Sequence, residues 1–65
     1  MEISERIFQY RAKKHLTQIE MANELGVSRE MINKLENKKI APSKMLLMRM
    51  DLLEKENSHG KRKTN

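Results

Sequence analysis

Thr17-Gln18-Ile19-Glu20-Met21-Ala22-Asn23-Glu24-Leu25-Gly26-Val27-Ser28-Arg29-Glu30-Met31-Ile32-Asn33-Lys34-Leu35-Glu36-Asn37 carries two helix starts with a helix stop between them. Thr17 is an N-cap residue, Glu20 stands at the third helical position to complete a capping box, and Leu16 and Met21 form the flanking hydrophobic staple. Gly26, directly after Leu25, can take the left-handed conformation that ends a helix. Ser28 then caps the next helix, with Val27 and Ile32 as its staple pair. Only a very tight turn joins the two helices, so they must cross steeply, and the small Ala22 lets the second approach the first.

Outward from this core, a helix is expected from about Ser4 to Lys14, with Ile3, Ile7 and Arg11 stacked at i, i+4 spacing on one side. The helix that Ser28 opens runs from about Arg29 to Leu35 or Glu36. It is followed by a loop, Asn37-Lys38-Lys39-Ile40-Ala41-Pro42, closed by the only proline. Ser43 caps a fourth helix, Lys44 to about Glu56. Period-2 alternation is absent and Glu, Lys, Met and Leu dominate, so the fold class is all-α, a small bundle of four helices. The last residues, from Asn57 on, offer nothing apolar to bury and are expected to be a disordered basic tail over 58–65, leaving 1–57 as the one domain.

The chain has 65 residues and no cysteine. Its core is small, and neither disulfides nor a thiolate metal site can supplement it. No run reaches the roughly 18 apolar residues of a membrane span, and the polar, acidic start Met1-Glu2-Ile3-Ser4-Glu5 is unlike a secretory signal. A cytoplasmic protein with no membrane association is therefore expected. The net charge of +5 and pI near 9.8 favour a polyanionic partner. Lys61-Arg62-Lys63 supplies three of the positive charges, and the rest of the excess is concentrated between Arg29 and Lys44, with five basic residues against Glu30 and Glu36. Taken alone, such a run reads as a solvated face. His15 and His59 are the only histidines and Asp51 the only aspartate. No nucleophile–base pair or metal-ligand spacing is present, so no enzyme, cofactor or metal is expected.

The combination of Leu16, Thr17-Gln18, Ala22, Leu25-Gly26-Val27-Ser28, Ile32, Leu35-Glu36-Asn37 and Pro42 resembles the Cro and phage-repressor helix-turn-helix family, also called XRE, over residues 3 to about 53. The resemblance implies a transcriptional regulator, most simply a repressor of bacterial, phage or mobile-element origin, that binds double-stranded DNA. Its helix 29–36 would lie in the major groove. The family's base-reading positions fall on Arg29, Glu30, Asn33 and Lys34. Their chemistry suits guanine O6 and N7, adenine N6 and N7, and the cytosine amino group. Positions near the DNA backbone fall on Gln18, Ser28, Asn37 and Lys39, contacts that set register rather than sequence, and the resemblance implies that Gln18 also braces helix 29–36. Arg11 and Glu36 match a family salt bridge, expected here as a partly buried bidentate pair.

Two departures stand out. The family usually has glycine where this chain has Lys38, so the exit from the helix must use Asn37 in the left-handed region or take another turn. The usual fifth helix is also missing. Seven of the nine residues from Met45 to Leu53 are apolar, more than one core can use. An outer stripe with Leu47 and Met50 is the expected interface of a homodimer, which would hold two reading helices roughly 34 Å apart. The alternative is an antitoxin or anti-repressor that grips a protein partner through helix 44–56. RNA binding is disfavoured, since the aromatics are only Phe8 and Tyr10. The Lys61-Arg62-Lys63 tail can serve as a phosphate-tracking arm or simply as a solubilising end.

Overall fold

A computed structural model describes residues 2–63, with side chains through Glu56, so the tail expected over 58–65 lies outside the residues described in full. The elements are α1 (Ile3–Lys14), α2 (Gln18–Leu25), α3 (Arg29–Glu36) and α4 (Lys44–Lys63), and no strand occurs among the described residues. The chain is a small all-α bundle, as its sequence predicts.

Side-chain caps start three of the helices. Thr17 Oγ1 accepts from the Glu20 N–H at 3.1 Å while Glu20 Oε1 accepts from the Thr17 N–H at 2.9 Å, a complete capping box. Ser28 Oγ accepts from the Met31 N–H and Ser43 Oγ from the Leu46 N–H, each at 3.1 Å.

The first three helices all end the same way. His15, Gly26 and Lys38 take positive φ values of 59°, 71° and 59°. Around each, the left-handed residue and the one after it donate back to two carbonyls of the last turn. For α1 these bonds are His15 N–H to Ala12 O and Leu16 N–H to Arg11 O; for α2, Gly26 to Asn23 and Val27 to Ala22; for α3, Lys38 to Leu35 and Lys39 to Lys34. The exit from α3 therefore does not use Asn37 in the left-handed region. Asn37 keeps φ −93°, and Lys38 adopts the conformation that suits glycine. Lys38→Gly should stabilise the fold by about 1 kcal/mol, since a Cβ in this region costs that much and the exposed Lys38–Glu2 ion pair it removes is worth little. A thermal melt checks the sign; a lower midpoint would mean that the added freedom of the unfolded chain outweighs the relieved strain.

The core is built from all four helices: Ile7 and Tyr10 of α1, Met21, Ala22 and Leu25 of α2, Ile32 and Leu35 of α3, Leu46 and Met50 of α4. Ile3, Leu16, Val27 and Leu53 pack against it. Met50 corrects the sequence reading. It is fully buried and cannot belong to an outer stripe, because Leu46, Met50 and Leu53 fall within about 60° of one another at 100° per residue and share the inward side of α4. Leu47 is half-buried and lines a groove with Ile3, Leu35, Ile40 and Pro42. The outward apolar residues of α4 are Met45, Met48 and Leu52, 57 to 63% exposed.

α4 is also tied to α1 by charge. Arg6 Nη2 donates to Asp51 Oδ1 and to Glu54 Oε1, both at 2.6 Å, and its Nε donates to Glu54 Oε2 at 3.1 Å. The bonds to Glu54 hold the guanidinium pKa above its ordinary value, against the opposing effect of burial. A raised pKa on a cation means that its contribution is complete below the ordinary arginine value and fades only as pH rises through the folded one. On the Arg6 side, this clasp is therefore indifferent to pH across the neutral range. No helix among the described residues is long and apolar enough to cross a membrane.

Candidate nucleic-acid interface

α3 divides cleanly into two faces. Ile32 and Leu35 are buried and Glu36 almost so, while Arg29, Glu30, Asn33 and Lys34 are all exposed on the other side. Three of those four can donate hydrogen bonds and one can only accept. Arg29 forms no ion pair with any described residue. Lys34 and Glu30 stand 3.7 Å apart across one helical turn, an exposed pair that holds neither strongly. Lys38 and Lys39, just beyond the helix, are exposed as well, and Lys38 Nζ lies 3.2 Å from Glu2 Oε1.

The buried face is held by a polar junction at its end. The Glu36 carboxylate, with its side chain 4% exposed, accepts from Arg11 Nη1 at 2.7 Å through one oxygen and from Gln18 Nε2 at 2.8 Å through the other. Arg11 Nε turns instead to the Leu16 carbonyl at 3.1 Å. The Arg11–Glu36 ion pair forms as the sequence predicts, but it is not bidentate, because Gln18 takes the second oxygen and Leu16 takes the second donor. Three helices meet at this one carboxylate. No buried side-chain nitrogen or oxygen among the described residues is left without a partner.

The turn before α3 is secured from outside. Arg49 of α4 donates through Nη1 to the Leu25 carbonyl at 2.8 Å and to that of Gly26 at 3.4 Å. A cation there suits the negative end of α2 and occupies carbonyls that the helix leaves open. Gly26 is needed for its positive φ, and a Cβ there would stand 2.5 Å from Arg49 Nη1 and push the guanidinium from its carbonyls.

The structure thus gathers Arg29, Glu30, Asn33 and Lys34 on one surface, with Asn37 and Lys39 at its C-terminal edge. Ser28 opens the same helix, and its Oγ accepts the capping bond. Gln18 reaches α3 from the start of α2. The brace expected from Gln18 is the bond it donates to Glu36, whereas sequence reasoning missed the Arg49 clamp and the Arg6 clasp. Each joins residues on different helices, and for Arg49 the partner is a backbone carbonyl, which no side-chain pattern advertises. It also missed a bond between Asn33 and Asn37, although their i, i+4 spacing signals it.

A surface of this kind offers donors and an acceptor on a helix rigidly backed by core and ion pair, the chemistry that base edges require. Among the described residues no group of three His, Cys, Asp or Glu stands together as a metal site would need. A family model described as helix-turn-helix matches residues 7–51. No curated protein and no solved structure matches the chain.

Proposed function

Because the chain belongs to the helix-turn-helix family of DNA-binding regulators, in its Cro and phage-repressor (XRE) group, we propose that it is a sequence-specific transcriptional repressor that lays α3 in the major groove of double-stranded DNA. The observation that carries this reading is the outward polar face of α3, Arg29, Glu30, Asn33 and Lys34, on a helix fixed from behind by Ile32, Leu35 and Glu36. Arg29 is suited to guanine and Glu30 to the cytosine amino group. Gln18 gives one amide hydrogen to Glu36 and keeps a second for a phosphate oxygen. The Ser28 hydroxyl, which accepts within the cap, keeps its proton for the same purpose. Asn37 and Lys39 complete the backbone contacts. Repression follows by occlusion of a promoter, in the cytoplasm, with no enzymatic step.

The protein acts as a homodimer in this reading, paired through Met45, Met48 and Leu52 on the outer side of α4 rather than through Met50. Two copies would then set their reading helices about one DNA turn apart. The exposure of that same stripe also supports a second reading, an antitoxin or anti-repressor whose α4 holds another protein. Sedimentation separates them: a dimer of the free chain satisfies the stripe, whereas a monomer leaves it for a different partner.

The test of DNA reading is fluorescence anisotropy at about 0.15 M salt, with a duplex recovered by selection from random sequence and with a scrambled one. Arg29→Ala and Asn33→Ala are each expected to weaken binding to the selected duplex by about 1 to 3 kcal/mol and to leave the scrambled one nearly unchanged. Equal loss on both would remove α3 from base reading.

A further inference from the structure

α3 is anchored unevenly. From its middle to its C-terminal end Ile32, Leu35 and Glu36 are buried, and Glu36 is bonded to both Arg11 and Gln18. In its first turn Arg29, Glu30 and Met31 are all exposed, so that turn has no buried anchor of its own. What holds this end is the cap from Ser28, the half-buried Val27 and the tight turn that carries them. Arg49 grips that turn from α4. Its Nη1 donates to the carbonyls of Leu25 and Gly26 at 2.8 and 3.4 Å, an approach left open by the missing Cβ of Gly26. Glu24 and Glu56 line the same hollow, yet among the described residues Arg49 bonds to the two carbonyls and to neither carboxylate.

We infer that Arg49 is a positioning residue for base reading: its hold on the turn fixes the end of α3 from which Arg29 and Glu30 project. This rests on the reading above, in which α3 enters the major groove. In that docking the N-terminal residues of the helix meet the base edges. A bidentate contact from Arg29 to guanine needs both donors in place at once, so motion at the entry of the helix weakens it directly. Asn33 is one turn further on, beside the buried Ile32, and is held by the core instead. A side chain whose backbone is set before DNA arrives also has less freedom to lose on binding. Arg49 thereby shapes base choice through the backbone of the turn and not by meeting a base.

The experiment compares the full-length chain with Arg49→Met, which keeps a stem and loses the donors, and with Arg49→Lys, which keeps a cation able to reach the same carbonyls. Arg49 is exposed, so both variants retain the fold, as circular dichroism will show. Amide hydrogen exchange of the free proteins reads the turn without DNA. The N–H groups of Met31 and Ile32 bond to Ser28. In Arg49→Met they should exchange about tenfold faster relative to those of Leu35 and Glu36, the equivalent of one bond to a charged donor. Selection of duplexes from a random pool reads the DNA side, with Arg29→Ala and Asn33→Ala each marking a base pair by loss of preference there. Arg49→Met should lower the preference at the Arg29 pair about tenfold, within what one bidentate contact confers, and leave the Asn33 pair unchanged. Arg49→Lys should restore most of both effects. A merely structural role would reduce the active fraction and leave base preferences alone. Unchanged preferences in Arg49→Met, equal loss at both pairs, or exchange that rises evenly along α3 overturns the inference and leaves groove reading intact. If neither Arg29→Ala nor Asn33→Ala moves a preference, or the wild type selects no sequence, both fall.

Discussion

Arg11→Met is expected to lower the melting midpoint by about 12 to 24 °C, the equivalent of about 3 kcal/mol in a domain of this size. The reason lies with the partner left behind. Glu36 has its side chain only 4% exposed, and without Arg11 its charge rests on the single amide of Gln18. Arg11 is itself 22% exposed, so Glu36→Met, which strands the more accessible member, should cost less. Stability for 65 residues is roughly 3 to 10 kcal/mol, so the Arg11 variant stands near the limit of folding. The double variant Arg11→Met, Glu36→Met removes both charges and should recover much of the loss, because two apolar side chains of similar volume can replace a buried pair. Thermal melts of the three variants decide it. A single variant that melts like the wild type would make the pair a surface contact, and a double variant no better than Arg11→Met would mean that the guanidinium stem, not its charge, is what matters.

Met50→Ala is expected to cost about 2 to 5 kcal/mol, as for other fully buried methionines cut back to alanine, whereas Met48→Ala should change the stability of the monomer by no more than about 0.5 kcal/mol. The two residues are two positions apart on α4 and chemically identical. What separates them is direction: Met50 is enclosed by the other helices and Met48 looks outward. Urea unfolding of both, at a concentration where the chain is monomeric, gives the comparison directly. Equal midpoints would place Met50 outside the core and return it to the outer stripe.

The contrast between these two methionines also shows where sequence is informative. Thr17, Ser28 and Ser43 could each be read as caps, because capping is a local bargain between one side chain and the next turn. The steep turn at Gly26 was equally legible, since only one residue there tolerates a positive φ without strain. Position 38 was not. The same left-handed exit is made by Lys38, and the preference of lysine against it is too small to stop a turn that the surrounding packing demands. On α4, seven apolar residues crowded into nine positions leave no polar face to orient the helix, so its inward side was decided by fit against α1 and α2. The polar face of α3, by contrast, was readable: Arg29, Glu30, Asn33 and Lys34 could be assigned outward from the family pattern, and the structure gathers them. Their relations to their neighbours, such as the bond from Asn37 to Asn33, depend on rotamers that no periodicity encodes.

The Arg6 clasp bears on how the chain assembles. Its bonds to Asp51 and Glu54 span 45 and 48 residues, the widest separations among the described side-chain bonds, whereas the caps and the three left-handed turns join near neighbours. Proteins wired mainly through local helix contacts fold in microseconds to milliseconds, and the distant contact closes late because a long loop must be ordered before it forms. The helix that docks last is then α4, which also leaves the ribosome after the other three. Until it docks, Leu46 and Met50 stand in water beside Met45, Met48 and Leu52, and every apolar side chain of the segment is open to its neighbours.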